Sequence, residues 1–174
     1  MHIHQQIMLV DDMGEPDSEL KETALSMMDF AFESGIFDYG EQVEDETPVS
    51  FRKQRDAFIT RLDEIRKYRI EEAGSMLQDV YRQAVEAGYK PTQNILNLAV
   101  EKFKQNNGEV PDGMLGHALR KLGALLAGYY GMDSGFYDLE DNTAHIPTHE
   151  EIEKMGATLA PDKDIYLVEL NFHY

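Results

Sequence analysis

The order of hydrophobic patterns along the chain is the feature that most limits its fold. Residues 2–10 and residues 164–173 both have strand-like patterns. The turn residues Asp11-Asp12-Met13-Gly14 follow the first segment, and Pro161 precedes the second. Between these two segments, apolar residues recur mostly at intervals of three and four, which is the spacing of one helix face. We therefore expect the two terminal strands to pair with each other around a set of helices.

Gly, Pro, Asn and capping residues divide the middle of the chain into helices. We predict helices over the ranges of about 18–34, 50–73, 75–87, 92–106, 112–130 and 148–155. We expect either a break between two helices or a kink within one helix at Gly74-Ser75, because one straight helix over residues 50–87 would measure roughly 57 Å, which is long for a small domain. Thr148 and Glu151 have the spacing of a capping box, and Gly156 follows at a plausible helix end.

The predicted fold is therefore a predominantly α-helical α+β domain. It would contain four to five helices and a small β-sheet formed by the N- and C-terminal strands. A chain of 174 residues fits a single domain over residues 1–174 and is long enough to bury a hydrophobic core.

The absence of Cys excludes several kinds of site. The chain has no Cys, so it can form no disulfide, Cys-ligated zinc site, iron–sulfur cluster or thiol nucleophile. Its apolar runs are shorter than a membrane span, and its first residues lack the core of a signal peptide. We expect a soluble, cytoplasmic protein.

The negative charge of the chain is distributed unevenly. With 33 Asp and Glu against 16 Lys and Arg, the formal net charge is −17. Residues 1–46 carry −12, residues 47–128 carry +3 and residues 129–174 carry −8. This balance argues against nucleic acid or an anionic membrane as a direct partner, because contacts to phosphate need clustered Lys and Arg.

Three interpretations of the acidic ends remain open. The acids could fold onto the basic middle and neutralise it, or face solvent as a negative field for a basic protein partner. They could also serve only to keep the surface soluble. Aromatic side chains accompany the acids, and they could either dock on a partner or anchor loops to the core. The candidate partner-binding residues are Asp11, Asp12, Asp38, Tyr39, Glu41, Glu44, Asp45, Glu46, Tyr137, Asp138, Glu140 and Asp141.

These observations favour a non-enzymatic interaction protein that binds a basic partner through its carboxylates. In its sharper form, the hypothesis is an inhibitor or an immunity or anti-defence protein. Such a protein would occupy the surface of a nucleic-acid-handling partner, as a small acidic mimic of DNA does. We predict no catalytic residue and no cofactor for this function.

A second hypothesis is a structural or assembly subunit of a homo-oligomer or a larger complex. The predicted helix over residues 112–130 is rich in Gly and Ala. Several Gly residues inside one helix suggest close backbone approach to a neighbouring helix, which could belong to another copy of the chain.

A third hypothesis is a metal-dependent enzyme that uses His145 and His149, two weak candidate metal ligands. His2 and His4 would share one face of the first strand, and His173 would lie on its partner strand. Zinc accepts His and Glu ligands, but the sequence lacks the His-Glu-x-x-His spacing of zinc peptidases. Nucleophile and nucleotide-binding motifs are also missing, so we expect that the protein is not an enzyme.

Overall fold

The computed structural model describes residues 2–86 and 135–173. Its elements, in chain order, are β1 (His2–Asp12), α1 (Asp17–Met27), α2 (Asp29–Glu33), β2 (Tyr39–Gln42), β3 (Val49–Ser50), α3 (Arg55–Glu86), β4 (Phe136–Asp138), α4 (His149–Thr158) and β5 (Lys163–His173). They belong to two compact units. Unit 1 comprises Met1–Lys67 and Tyr130–Tyr174, and unit 2 comprises Tyr68–Tyr129.

Unit 1 is built on a five-stranded mixed sheet in which β2, β5, β1 and β4 lie side by side in that order. Strands β1 and β5 are antiparallel and pair over 11 residues each, from His2 opposite His173 to Asp12 opposite Lys163. The expected pairing of the two terminal strands is thus confirmed. Strand β4 adds to β1 in parallel, and β2 and β3 add to the other side of β5.

Both faces of this sheet carry a hydrophobic core. One face is covered by α1 and α2, and its buried side chains include Ile7, Leu9, Leu20, Ala24, Met28, Val168, Leu170 and Phe172. The opposite face is covered by the first turns of α3 and by α4, and its buried side chains include Met8, Phe51, Phe58, Leu62, Phe136, Ile152, Ile165 and Leu167. Since successive residues of a strand point to opposite faces, β1 and β5 contribute to both cores.

The prediction of a predominantly α-helical fold with a small sheet and four to five helices is wrong. The described residues form a five-stranded mixed sheet and three helices of ten or more residues, with α2 as a short additional turn. The sheet also contains more than the two terminal strands. The helices predicted over residues 92–106 and 112–130 lie outside the part of the chain that the structure describes.

The strands that the sequence did not predict are short. Residues 38–49, where neither a helix nor a strand was predicted, contain all of β2 and the start of β3. The three residues of strand β4 lie between the predicted helices 112–130 and 148–155, where no strand was predicted either. Segments of two to four residues are too short to show alternation of polar and apolar side chains, so their strand conformation depends on pairing with β1 and β5.

The helix boundaries also differ from those expected. The predicted helix 18–34 is divided at Met28 into α1 and α2. Helix α3 starts at Arg55 and is 32 residues long. It continues through Gly74-Ser75, where a break or a kink was expected. An interior Gly costs only about 1 kcal/mol relative to Ala, so one Gly does not have to end a long helix.

A buried carboxylate explains why α3 begins at residue 55 rather than 50. Asp164 is buried and accepts hydrogen bonds from Ser50 Oγ and, at 3.0 Å, from the backbone N–H of Arg52. Ser50 Oγ in turn accepts from the N–H of Lys53 at 3.0 Å. These bonds hold the segment after β3 in a turn against the start of β5 before the helix begins.

Helix α4 confirms the predicted capping box and corrects its end. Thr148 Oγ1 accepts from the N–H of Glu151 at 3.2 Å, and the Glu151 carboxylate accepts from the N–H of Thr148 at 2.7 Å. The helix then continues to Thr158, so Gly156 lies inside it. Gly156 is required for space, because a Cβ atom there would overlap Cε1 of Phe51.

We predict that Gly156→Ala destabilises the protein although alanine is the better helix former. Overpacking costs about 1–3 kcal/mol and the gain in helix propensity is about 1 kcal/mol, so we expect a net loss of up to about 2 kcal/mol. Urea unfolding would measure it. The exposed Lys154→Ala variant on the same helix is the control and should change stability by less than about 0.5 kcal/mol. A Gly156→Ala variant as stable as the original would show that the Phe51 ring moves aside without cost.

Within the described residues, no helix combines the length and the apolar character needed to cross a membrane.

Candidate functional site

The net charge of the protein lies entirely in unit 1. Residues 1–67 and 130–174 contain 26 Asp and Glu and nine Lys and Arg, a net charge of −17, whereas residues 68–129 contain seven of each kind. The basic residues of the chain segment 47–67 therefore belong to the same compact unit as both acidic ends. The sheet unit carries a strongly negative charge, and unit 2 is neutral overall.

Part of the acidic charge is neutralised within unit 1. Arg61 of α3 lies 3.1 Å from the Glu169 carboxylate on β5 and 3.6 Å from that of Glu46. Arg55 forms an ion pair with Glu153 of α4. Some acids thus fold onto the basic segment at the start of α3, as one of the sequence interpretations held. Unit 1 has only nine basic residues for its 26 acidic ones, so most of its acidic charge is not neutralised within the unit.

The predicted partner-binding residues separate into two groups. Asp11, Asp12, Tyr137, Asp138, Glu140 and Asp141 lie where β1 and β4 end. The second group lies along β2 and directly before and after it, beside the other half of β5, and consists of Asp38, Tyr39, Glu41, Glu44, Asp45 and Glu46. Positions 2 and 11 of β1 are about 30 Å apart, at roughly 3.4 Å per residue. The twelve residues therefore do not form a single surface patch.

The first group lies in a dense cluster of carboxylates, which we call the acidic end. Because β1 and β4 are parallel, both finish at the same edge, and β5 begins there. The Glu140 carboxylate accepts from the N–H of Val10 at 3.1 Å, and Asp12 contacts Lys163 Nζ at 2.7 Å. The acidic end consists of Asp11, Asp12, Glu15, Glu140, Asp141 and Asp162.

Two pKa shifts show how closely these charges lie. The pKa of Glu15 is raised, because its side chain shares a hydrogen bond with Glu19 and because Glu19, Asp11 and Asp12 repel its charge. The pKa of Lys163 is raised by its hydrogen bond to Asp12 and by the negative charges of Asp12, Asp11 and Asp162. The acidic end thus holds carboxylates close enough to oppose one another's ionisation, and an added cation would relieve that repulsion.

Tyr137 and Asp138 differ from the other candidates because they are buried, with 6% and 3% of their surface exposed. Burial raises the pKa of the Tyr137 hydroxyl and raises that of Asp138 to about 6. The Asp138 carboxylate accepts from the backbone N–H groups of Glu140 at 2.9 Å and Asp141 at 3.4 Å. Both side chains belong to the packed sheet, and Asp138 shapes the turn that presents Glu140 and Asp141 to solvent.

The raised pKa of Asp138 predicts a loss of stability as the pH rises. Between the unfolded value near 4 and the folded value of about 6, the folded protein binds the additional proton, so stability falls as the pH rises through this window. Two pKa units correspond to about 3 kcal/mol, which is an upper estimate for this group. We expect Asp138→Asn to remove this loss and to be more stable than the original protein at pH 7.5.

Urea unfolding of the original protein and of Asp138→Asn, each at pH 4.5 and at pH 7.5, would measure how the free energy of unfolding of each protein changes with pH. Asp45→Asn, which changes an exposed aspartate outside this turn, is the matched control and should leave the pH dependence unchanged. An identical pH dependence in the Asp138→Asn protein would contradict a raised Asp138 pKa.

A second concentration of polar groups lies on the sheet face that also packs against α3 and α4. Toward the start of β1 this face changes from apolar to polar, and we call that part the polar face. Its side chains come from β1, β2 and β5, because residues that pair across neighbouring strands point to the same face of the sheet. The polar face consists of His2, His4, Gln6, Tyr39, Glu41, Glu169, Asn171 and His173.

Half of the polar face is an ion-pair network centred on Glu169. This carboxylate accepts from His4 Nδ1 at 2.8 Å, from Gln6 Nε2 at 2.6 Å and from Arg61 at 3.1 Å. Both carboxylate oxygens are used, one by His4 and the other by Gln6 and Arg61. The charge of Glu169 is therefore balanced within the protein.

The other half brings two histidines and a carboxylate together. His2, Glu41 and His173 each offer a ligand atom within 4.8 Å of the others, and His173 Nε2 lies 3.2 Å from Glu41 Oε1. The His173 ring also stacks on Tyr39, with ring centroids 4.0 Å apart. Within the described residues, these three side chains could hold a metal ion.

Asn171 lies between these three groups. Its Nδ2 is 2.7 Å from Glu41 Oε1, 3.1 Å from His2 Nδ1 and 3.5 Å from His173 Nε2. The hydrogen bonds of Glu41 to His173 and to Asn171 lower the pKa of its carboxyl group. Glu41 is therefore held in the ionised form that a metal ion requires.

The two histidines predicted as weak metal ligands lie elsewhere and contact different carboxylates. His145 Nε2 is 3.3 Å from Glu151, and His149 Nε2 is 2.8 Å from Asp63. The hydrogen bond from His149 lowers the pKa of Asp63. Among the residues that the structure describes, neither histidine belongs to a group of three possible ligands.

The sequence predicted one part of the metal-compatible cluster. His2 and His4 do share a face of β1, and His173 lies opposite His2 on β5, as expected. Glu41 was predicted only as a partner-binding residue, and Asn171 was not singled out. Their positions follow from the pairing of β2 with β5, which places Glu41 opposite Asn171 and which the short segment did not reveal.

No protein family, no curated protein and no solved structure matches this chain significantly.

Proposed function

We propose that this protein is a non-enzymatic acidic interaction protein that binds a basic protein partner through the acidic end of its sheet unit. The observation that carries the proposal is the crowding of carboxylates around Asp11, Asp12 and Glu15, where the hydrogen bond to Glu19 and, after it, the neighbouring negative charges raise the pKa of Glu15. A cationic surface docked there would reduce this repulsion and gain attractive ion pairs. The partner would contribute Lys and Arg side chains, and the protein itself would bind neither nucleic acid nor membrane.

The distribution of charge between the two units supports this assignment. Unit 1 carries the full net charge of −17, so the electrostatic potential around it is strongly negative. Such a field accelerates encounter with a basic partner and loses strength as salt is added. Final affinity would depend on the carboxylates that become desolvated at the interface.

The partner class follows from the same chemistry. A protein with a basic surface is often one that handles nucleic acid, and carboxylates presented at a sheet edge could compete with phosphates for that surface. An inhibitory, DNA-mimicking role is the finer form of the proposal. A cytoplasmic location also belongs to it, because partners of this kind act there.

Affinity capture from the native host with neutralised variants tests the proposal. In the end variant, Asp11→Asn, Glu140→Gln and Asp141→Asn remove three charges and keep the side-chain shapes. We expect basic proteins to bind the original protein and to bind the end variant several-fold less. Raising the salt concentration from about 0.1 M to about 1 M, which shortens the screening length from about 10 Å to about 3 Å, should release them.

The matched control removes the same charge from helices α1 and α2. Glu22→Gln, Asp29→Asn and Glu33→Gln alter exposed side chains away from the strand ends, and this variant should retain the captured proteins. Equal capture by the original protein and the end variant would refute the proposed site. Equal losses from the end variant and the control would mean that net charge, rather than the acidic end, attracts the partner.

A homo-oligomeric assembly through residues 112–130 stays a prediction, since those residues lie outside the described part of the chain. Its test is the mass of the protein in solution by light scattering.

A further inference from the structure

We propose that His2, Glu41 and His173 form a binding site for a divalent transition-metal ion of the zinc type. The site would lie on the polar face, where strands β1, β2 and β5 meet. It involves different residues from the acidic end and does not depend on the proposed partner. Two imidazoles and one carboxylate are a donor set that zinc accepts in proteins.

The spacing of the three groups fits a shared ion. Zinc binds nitrogen and oxygen ligands at about 2.0–2.2 Å in a tetrahedral arrangement, so two ligands of one ion lie about 3.4 Å apart. His173 Nε2 and Glu41 Oε1 are 3.2 Å apart, and all three ligand atoms are within 4.8 Å of one another. Side-chain rotations of the exposed His2 and Glu41 can close the remaining distance, because neither is fixed by burial.

Asn171 provides an independent reason to expect a cation. Its side chain is buried, with 9% of its surface exposed, and its Oδ1 has no hydrogen-bond donor among the described residues. A buried carbonyl oxygen that accepts no hydrogen bond is destabilising, because it has lost its hydrogen bonds to water. Turning the amide by half a rotation would direct Oδ1 toward the position between His2, Glu41 and His173, where it could act as a fourth ligand.

The surrounding residues would position the ligands. Tyr39 stacks on His173 with an interplanar angle of 14°, and the His2 ring meets the His173 ring edge to face with centroids 3.8 Å apart. The buried His173 imidazole, in contact with both rings, is therefore limited in its orientation before an ion binds. An ion held by the three side chains would also link three strands and thereby stabilise this end of the sheet.

Calorimetric titration with zinc chloride tests the proposal. The protein must be free of any affinity tag, because His2 and His173 lie near the two ends of the chain and a tag would add ligands. After treatment with a chelator, we expect one zinc per chain and a rise in the melting temperature when zinc is added. Magnesium should not compete, because it prefers oxygen ligands only.

Four substitutions locate the ion. His2→Gln, Glu41→Gln and His173→Gln should each weaken zinc binding at least about 100-fold, and Asn171→Ala by about 10–100-fold, the range known for groups that support metal ligands. The controls are His4→Gln and His145→Gln, which remove exposed histidines paired with other carboxylates. Both controls should bind zinc as the original protein does.

Several outcomes would overturn the proposal. They are the absence of zinc binding, equal binding by the original protein and His2→Gln, and loss of binding in a control alone. If the buried His173→Gln fails to fold, the exposed His2→Gln and Glu41→Gln variants decide the question. The end variant should bind zinc normally, and if it does not, the ion is held by the acidic end and the proposal is wrong.

Discussion

The pairing of β1 with β5 is the constraint on which the rest of unit 1 depends. The two strands match over 11 residues each, and that register decides which side chains enter each core. A shift of β1 by one residue would move Ile7 and Leu9 into the core on the opposite face and Met8 into theirs, where the packing partners are different. Helices α1 and α2 on one face, and α3 and α4 on the other, pack where this register places the hydrophobic side chains.

The same pairing separates the two polar regions. Strands that end together place their following residues together, so Asp11 and Asp12 meet Glu140 and Asp141 at one edge of the sheet. At the far end, the register places His2 beside His173 and brings β2 alongside. One region is a surplus of like charge, and the other is a compact set of mixed donors and acceptors. This physical difference is why we connect the first with a basic protein and the second with a metal ion.

How far the sequence predicted this structure depends on the length of each signal. The long terminal strands and the Thr148–Glu151 capping box carry strong local patterns, and the structure agrees with both. Strands of two to four residues have no such pattern, so β2, β3 and β4 were missed and the fold class was wrong. Gly156 resembles a helix end in the sequence, but its role is to make room for Phe51, a contact between residues more than a hundred positions apart.

By itself, the sequence determined the excess of carboxylates, the absence of cysteine chemistry and the strand character of the two ends of the chain. These properties depend on composition or on local periodicity, which need no tertiary contact. Only the tertiary structure decided which acids are buried, as in Asp138 and Asp164, and which remain exposed. It also brought Glu41 and Asn171 to His2 and His173. Proximity between distant chain segments arises from strand register and core packing, and neither is encoded in the spacing of the residues that meet.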